Sequence, residues 1–177
     1  MNGTGGFGQK LYGKYRGTVL DNVDPQQAGR LLVQVLDVGG ESPSTWALPC
    51  TPVGGLRNGM FALPAVRSQV WVEYEQGDID YPIWVGCFWG SGEVPPLALG
   101  APPAVPAITL QTPGQNGLTI SDLPGPSGGI VLRSAGGATI VVNDTGIYIK
   151  NGRGAEITLV GLTINVNRGA LTVDEPA

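Results

Sequence analysis

The chain contains no histidine. That absence removes the Ser-His-Asp and Cys-His nucleophile systems, and with them the histidine-built zinc and iron sites. Charge is sparse as well. Asp, Glu, Lys and Arg make up 14% of the 177 residues, well under the roughly 25% of an average domain. Net charge is −4 and no Lys/Arg cluster occurs, so the chain offers no bulk attraction to nucleic acid. The only cysteines, Cys50 and Cys87, lie far apart in no metal-like spacing and read as free buried thiols. No run of ~18 apolar residues marks a membrane-spanning helix. Met1 to Gln9 is polar and Gly-rich, without the apolar stretch of a secretory signal. Assembly in the cytoplasm is the expectation, with no metal and no cofactor.

What is present is glycine (29), proline (15) and 42% hydrophobic residues. Few charges and few helix formers, with abundant Val, Ile, Thr and Gly, indicate an all-β chain with many tight turns. Residues 1–13 read as a flexible arm. Residues 14–90 hold five strand candidates of period two: Tyr15 to Leu20, Arg30 to Val38, Thr45 to Cys50, Val70 to Glu75 and Ile83 to Trp89. In the second, Leu31, Val33 and Val35 share a face. In the fourth, Val70, Val72 and Tyr74 alternate with Trp71, Glu73 and Glu75. Asp24-Pro25, Gly39-Gly40, Gly54-Gly55 and Gly77-Asp78 supply turns. Five strands in about 75 residues fit a small closed barrel such as an OB-fold. Residues 91–117 carry prolines at 95, 96, 102, 103, 106 and 113 and read as an extended, semi-rigid linker.

From residue 118 to 177 the texture becomes a repeat. Apolar-x-apolar units recur at Leu118-Ile120, Ile130-Leu132, Ile140-Val142, Ile147-Ile149, Ile157-Leu159, Ile164-Val166 and Leu171-Val173, with Gly, Asn or Asp in most gaps. Short strands joined by such corners mark a β-helix. Seven strands are too few for a one-chain solenoid, which needs about three strands per coil and roughly three coils. Three identical chains around one axis remove the shortfall. The expected architecture is therefore a five-stranded OB-fold barrel followed by an intertwined triple-stranded β-helix, as a homotrimer. The expected trimer core is Ile140, Val142, Ile147, Ile149, Ile157, Leu159, Ile164, Val166, Leu171 and Val173. Tyr148, Thr158 and Asn165 fall on the solvated wall. At ~4.8 Å per strand, seven strands span roughly 30 Å.

Two other chemistries have residues of the right type in this sequence. Trp46, Trp71, Trp84 and Trp89, with Tyr74 and Tyr81, provide aromatic surface for an OB-fold that binds a glycan or nucleic acid on a β-stalk. The accompanying bases are few: Lys14, Arg16, Arg30, Arg57 and Arg67. Glu73, Glu75, Asp78 and Asp80 lie close in sequence, as paired hydrolytic carboxylates do, yet a solvated hairpin turn accounts for them. No catalytic residues are assigned, and no nucleic-acid partner is expected.

The blocks KYRGTVLDNVDPQQAGRLLVQVLDV, WALPCTPVGG, GMFALPAVRSQVWVEYEQGD and DYPIWVGCFWG resemble the phage baseplate assembly protein V family, from about Tyr12 to Gly90. The most specific stretches are Gly59 to Pro64, Val70 to Glu75, and Gly77-Asp78 followed by Pro82 to Gly86. The resemblance implies a homotrimeric central spike of a contractile tail-like injection system, with no enzymatic role. It also implies docking of the barrel to a baseplate hub, and transient contact with the membrane of a punctured envelope. Two features depart from the family: no lysozyme-like insertion is present, and Arg67-Ser68 stands where Gly-Asp is commoner. Spikes of this kind end in a histidine-bound metal point or in a separate PAAR-like tip protein. Without histidine the second ending is expected here, on a platform of Leu171, Val173, Asp174 and Glu175.

Overall fold

The computed structural model describes residues 10–173, which divide after Gly92 into two compact units. In the first, β1 (Tyr15–Asp21), β2 (Leu32–Gln34), β3 (Leu48–Pro49), β6 (Gln69–Tyr74) and β7 (Pro82–Phe88) form one sheet in the order β2-β1-β6-β7-β3. The sheet curls. Leu31 bridges Ala47 and Gln34 bridges Pro43, so the segments around the two edge strands meet and draw the sheet toward a barrel. Inside lie Val19, Leu31, Val33, Val35, Ala47, Val70, Val72, Tyr74 and Trp84. The alternation in β6 is as the sequence suggests: Val70, Val72 and Tyr74 point in, Trp71 and Glu73 away. The Trp84 indole, buried with the core, donates to the Gly29 carbonyl at 3.0 Å, which satisfies the polar end of that side chain. A two-residue hairpin, β4 (Gly54–Gly55) with β5 (Asn58–Gly59), projects beside the sheet.

Four expectations for this unit are corrected. Cys50 and Cys87 are free thiols, but both are exposed and lie outside the core. The second strand ends at Gln34, and Leu36–Gly39 makes one helical turn, α1. Leu36 has no core to enter and stays exposed, while Gly40, at φ +60°, turns the chain away. The third strand is only Leu48–Pro49, because the segment changes partner there: Ala47 bridges Leu31, whereas Leu48 and Pro49 pair with β7. Of the arm assigned to residues 1–13, residues 1–9 lie outside the described residues. Leu11, however, packs on the core and its N–H donates to the Gly77 carbonyl at 3.0 Å. Gly77 sits at φ +76°, and a Cβ there would come within 3.0 Å of the Leu11 nitrogen, so this contact requires glycine.

The second unit is an eight-stranded antiparallel meander: β8 (Ala107–Gln111), β9 (Gly117–Ser121), β10 (Gly129–Arg133), β11 (Thr139–Asn143), β12 (Gly146–Lys150), β13 (Glu156–Val160), β14 (Thr163–Val166) and β15 (Leu171–Val173). Each strand pairs with its sequence neighbours, so these ladder bonds close within the chain. The repeat spacing did not specify that detail. β8 lies inside the segment expected as linker. Its residues, Ala107 to Gln111, are proline-free between Pro106 and Pro113, and Ile108-Thr109-Leu110 is one more apolar-x-apolar unit. The true connector is shorter and includes a 3-10 turn, Pro96–Gly100, whose Leu97 N–H donates to the Gln111 side chain at 3.0 Å.

Candidate functional site

Antiparallel register brings the apolar repeat onto one face of the meander. Ile120 pairs with Ile108 and Ile130, Val142 with Ile130 and Ile147, Leu159 with Ile147 and Ile164, and Val173 with Ile164. These residues form one continuous column. A second column alongside runs through Leu110, Leu118, Leu132, Ile140, Ile149, Ile157, Val166 and Leu171. Every strand contributes one residue to each column, and all sixteen are Ile, Leu or Val. The ten residues predicted for the trimer core all lie in these columns. The six that the prediction omitted, from Ile108 to Leu132, precede the regular spacing because the β9–β10 connection is longer than the later turns. Their signal was the same apolar-x-apolar unit.

This face is open. Ile140, Ile149, Ile157 and Ile164 are each about two-fifths exposed, and Leu171 more so. Sixteen such side chains leave on the order of 1,000 Å² of apolar surface, above the ~300–600 Å² of the largest patch on a typical monomer. The opposite face carries Thr109, Thr119, Val131, Val141, Tyr148, Thr158 and Asn165 at the intervening positions. There Tyr148 meets Thr145 through its hydroxyl at 2.9 Å, and Thr145 donates to Asn143. Of the predicted tip platform, Leu171 and Val173 end the two columns. Asp174 and Glu175 lie outside the described residues.

Three of the four turns at one edge share a polar cap that the sequence did not make plain. Asn116, Ala138 and Ala155 donate their N–H groups to the side-chain oxygens of Thr112, Ser134 and Asn151, each four residues earlier. A Thr, Ser or Asn just after the apolar unit, with Gly one to three residues on, was the available signal. At the other edge, Asp144 accepts the Gly125 N–H at 3.0 Å.

The barrel's aromatic residues do not gather in one groove. Tyr74 and Trp84 are buried. Trp46 lies under the Arg30 guanidinium, 5.5 Å from its ring centroid. Trp71 packs on Phe88 at 4.7 Å beneath Arg16, while Tyr81 and Trp89 are exposed. The four neighbouring carboxylates also disperse. Glu73 pairs with Lys14, Asp78 accepts the Asp80 N–H at 3.1 Å within its own turn, and Glu75 begins a 3-10 turn. Among the described residues no helix is long and apolar enough to cross a membrane.

Residues 15–89, the curled sheet and its loops, match the type VI secretion system/phage-baseplate injector OB domain. Residues 107–172, the meander with both aliphatic columns, match the phage baseplate V C-terminal trimerisation domain. No curated protein matches the chain. With the injector OB domain followed by the trimerisation domain, on an all-β homotrimeric architecture, the chain belongs to the phage baseplate assembly protein V family and is a structural component of a baseplate spike.

Proposed function

We propose that three copies of this chain form the central spike of a contractile tail-like injection particle, with the two aliphatic columns as their common core. The observation that carries this reading is the pair of uninterrupted Ile/Leu/Val columns, left open by a single chain. Buried at roughly 25 cal/mol per Å², a face of this size is a large driving force for association. Because ladder bonds close within each chain, the copies share side-chain contact rather than backbone pairing.

In this reading the barrel unit docks on a baseplate hub, which leaves the meander to lead into the target envelope. Leu171 and Val173, with Asp174 and Glu175 beyond them, form a flat seat for a separate tip protein. The particle is assembled in the cytoplasm before use. The chain acts by shape and cohesion, and no catalytic group or cofactor enters the mechanism.

Sedimentation of the full chain tests the core. The wild type is expected to be trimeric. Ile157→Asp places an unpaired carboxylate from every copy at one level of a dry interior, so monomers or aggregates are expected. Thr158→Asp, one residue along on the opposite face, is expected to stay trimeric. An Ile157→Asp chain that remains a trimer with unchanged melting would overturn the assignment of this face.

A further inference from the structure

The charged side chains of the meander are sorted between its two lateral edges. From Ala107 to Val173 the basic residues are Arg133, Lys150, Arg153 and Arg168. Register puts them all at one edge. Arg133 ends β10 opposite Gly117, Lys150 ends β12 opposite Thr139, and Arg153 and Arg168 lie in the β12–β13 and β14–β15 turns. The other edge carries Asp122, directly after β9, and Asp144, between β11 and β12. One acid, Glu156, sits on the basic edge between Lys150 at 3.7 Å and Arg168 at 3.4 Å, and with two bases to one acid the cluster stays net positive.

Within one chain the two edges cannot meet. Asp122 and Arg133 belong to the same hairpin, β9–β10, but its two ends are the pairs Ser121↔Gly129 and Gly117↔Arg133. Four residue steps of ~3.3 Å separate them by about 13 Å. The β11–β12 hairpin repeats the arrangement, with Asp144 at its acidic end and Lys150 at its basic end. Two levels of the sheet thus each carry a negative and a positive end. At the third hairpin, β13–β14, the acidic edge ends in the exposed Leu162 instead, and its other end begins with Glu156 rather than a base.

A closed threefold ring is heterologous: one edge of each copy meets the opposite edge of the next. Pure rotation involves no shift along the axis, so equal levels meet. We propose that the trimer is keyed at its three corners by Asp122 of one copy against Arg133 of the next, and by Asp144 against Lys150. This rests on the reading of the aliphatic face as the trimer core, and it supplies what that core lacks. The columns are chemically almost uniform from β8 to β15, so a copy that slipped by one hairpin would still find aliphatic partners along six of its eight strands. Charges at fixed levels penalise the slip, as polar positions fix register in other uniform hydrophobic seams.

The test uses the full chain at low ionic strength, with urea as denaturant because guanidinium chloride would itself screen the pairs. Asp122→Arg and Arg133→Asp are each expected to lower the urea midpoint of the trimer. The double variant D122R/R133D is expected to recover it, although within a chain the two sites are too far apart to pair. The mismatched double D122R/R153D, reversed at unequal levels, is expected to stay low. The differences should fade in 1 M NaCl, where the screening length is about 3 Å. Single variants without effect, losses that simply add in D122R/R133D, or equal recovery in the mismatched double would overturn the proposal. Sedimentation separates this from failure of the core itself. If these variants remain trimers while Ile157→Asp does not, the core stands whatever the edges do.

Discussion

Asp24 anchors the turn between β1 and β2 with one carboxylate. It accepts N–H bonds from Gln26, Ala28 and Arg30 at 3.0, 2.8 and 3.3 Å, and the Arg30 guanidinium closes on it at 2.6 Å. Arg30 and these backbone donors hold its carboxyl well below the ordinary carboxylate range, and its side chain is almost wholly buried. A folded-state value below the unfolded one stabilises the fold at neutral pH and is lost on acidification. The tryptophan-monitored urea midpoint should therefore be level from pH 5 to 8 and fall below about pH 4, where a free Asp titrates. Asp24→Asn should start lower at pH 7 and show a shallower acid slope. Equal acid slopes in the two proteins would assign the sensitivity to other carboxylates. In sequence Asp24-Pro25 announced a turn. The partners of the carboxylate were not legible, because the Arg that completes the turn reads like any other surface base.

At the scale of elements, strands that alternate against a single core were legible, and β6 is the clearest case. The seven apolar-x-apolar units after residue 117 became β9 to β15 for the same reason: two branched or aliphatic residues two apart can share only a strand face. Elements set by their ends were harder to read. β8 was hidden by the prolines that bound it, although they limit its length rather than forbid it. The α1 turn lay within an apolar run in which Val35 and Val38 pack on the core but Leu36 is left exposed. Turn caps also escaped notice, being single polar residues in Gly-rich gaps. The Asn151 side chain takes the N–H groups of Arg153 and Ala155 at 2.8 and 3.1 Å. Asn151→Ala should thus destabilise the meander by about 1 kcal/mol per chain, the usual net worth of a hydrogen bond. The change is readable as a lower urea midpoint with sedimentation unchanged. A variant indistinguishable from wild type would mean that water replaces the cap without cost.

For the whole molecule, the sequence revealed which residues are aliphatic and how they are spaced, and so ten of the sixteen positions on the open face. It did not reveal the edges, since charge sorting becomes visible only once antiparallel pairing folds Asp122 and Arg133 to opposite ends of one hairpin. The proposed division of labour between the units is open to a direct measurement. Residues 1–92, which contain a core of their own, should compete for the hub, weakly, because a single copy lacks trimeric avidity. A chain truncated after Gly169 should keep the trimer and the hub but lose the tip protein. Hub binding by residues 93–177 alone would reverse the assignment. The meander also has a mechanical direction. Its ladder bonds lie along the stacking direction from β8 to β15, with the aliphatic columns beside them. Compression along that line presses closely packed strands together and finds nothing to slide. Tension along the same line peels one hairpin from the next, a few bonds at a time. Such a sheet is a strut and a poor rope, strong under a thrust delivered from behind and readily unravelled when pulled by its end.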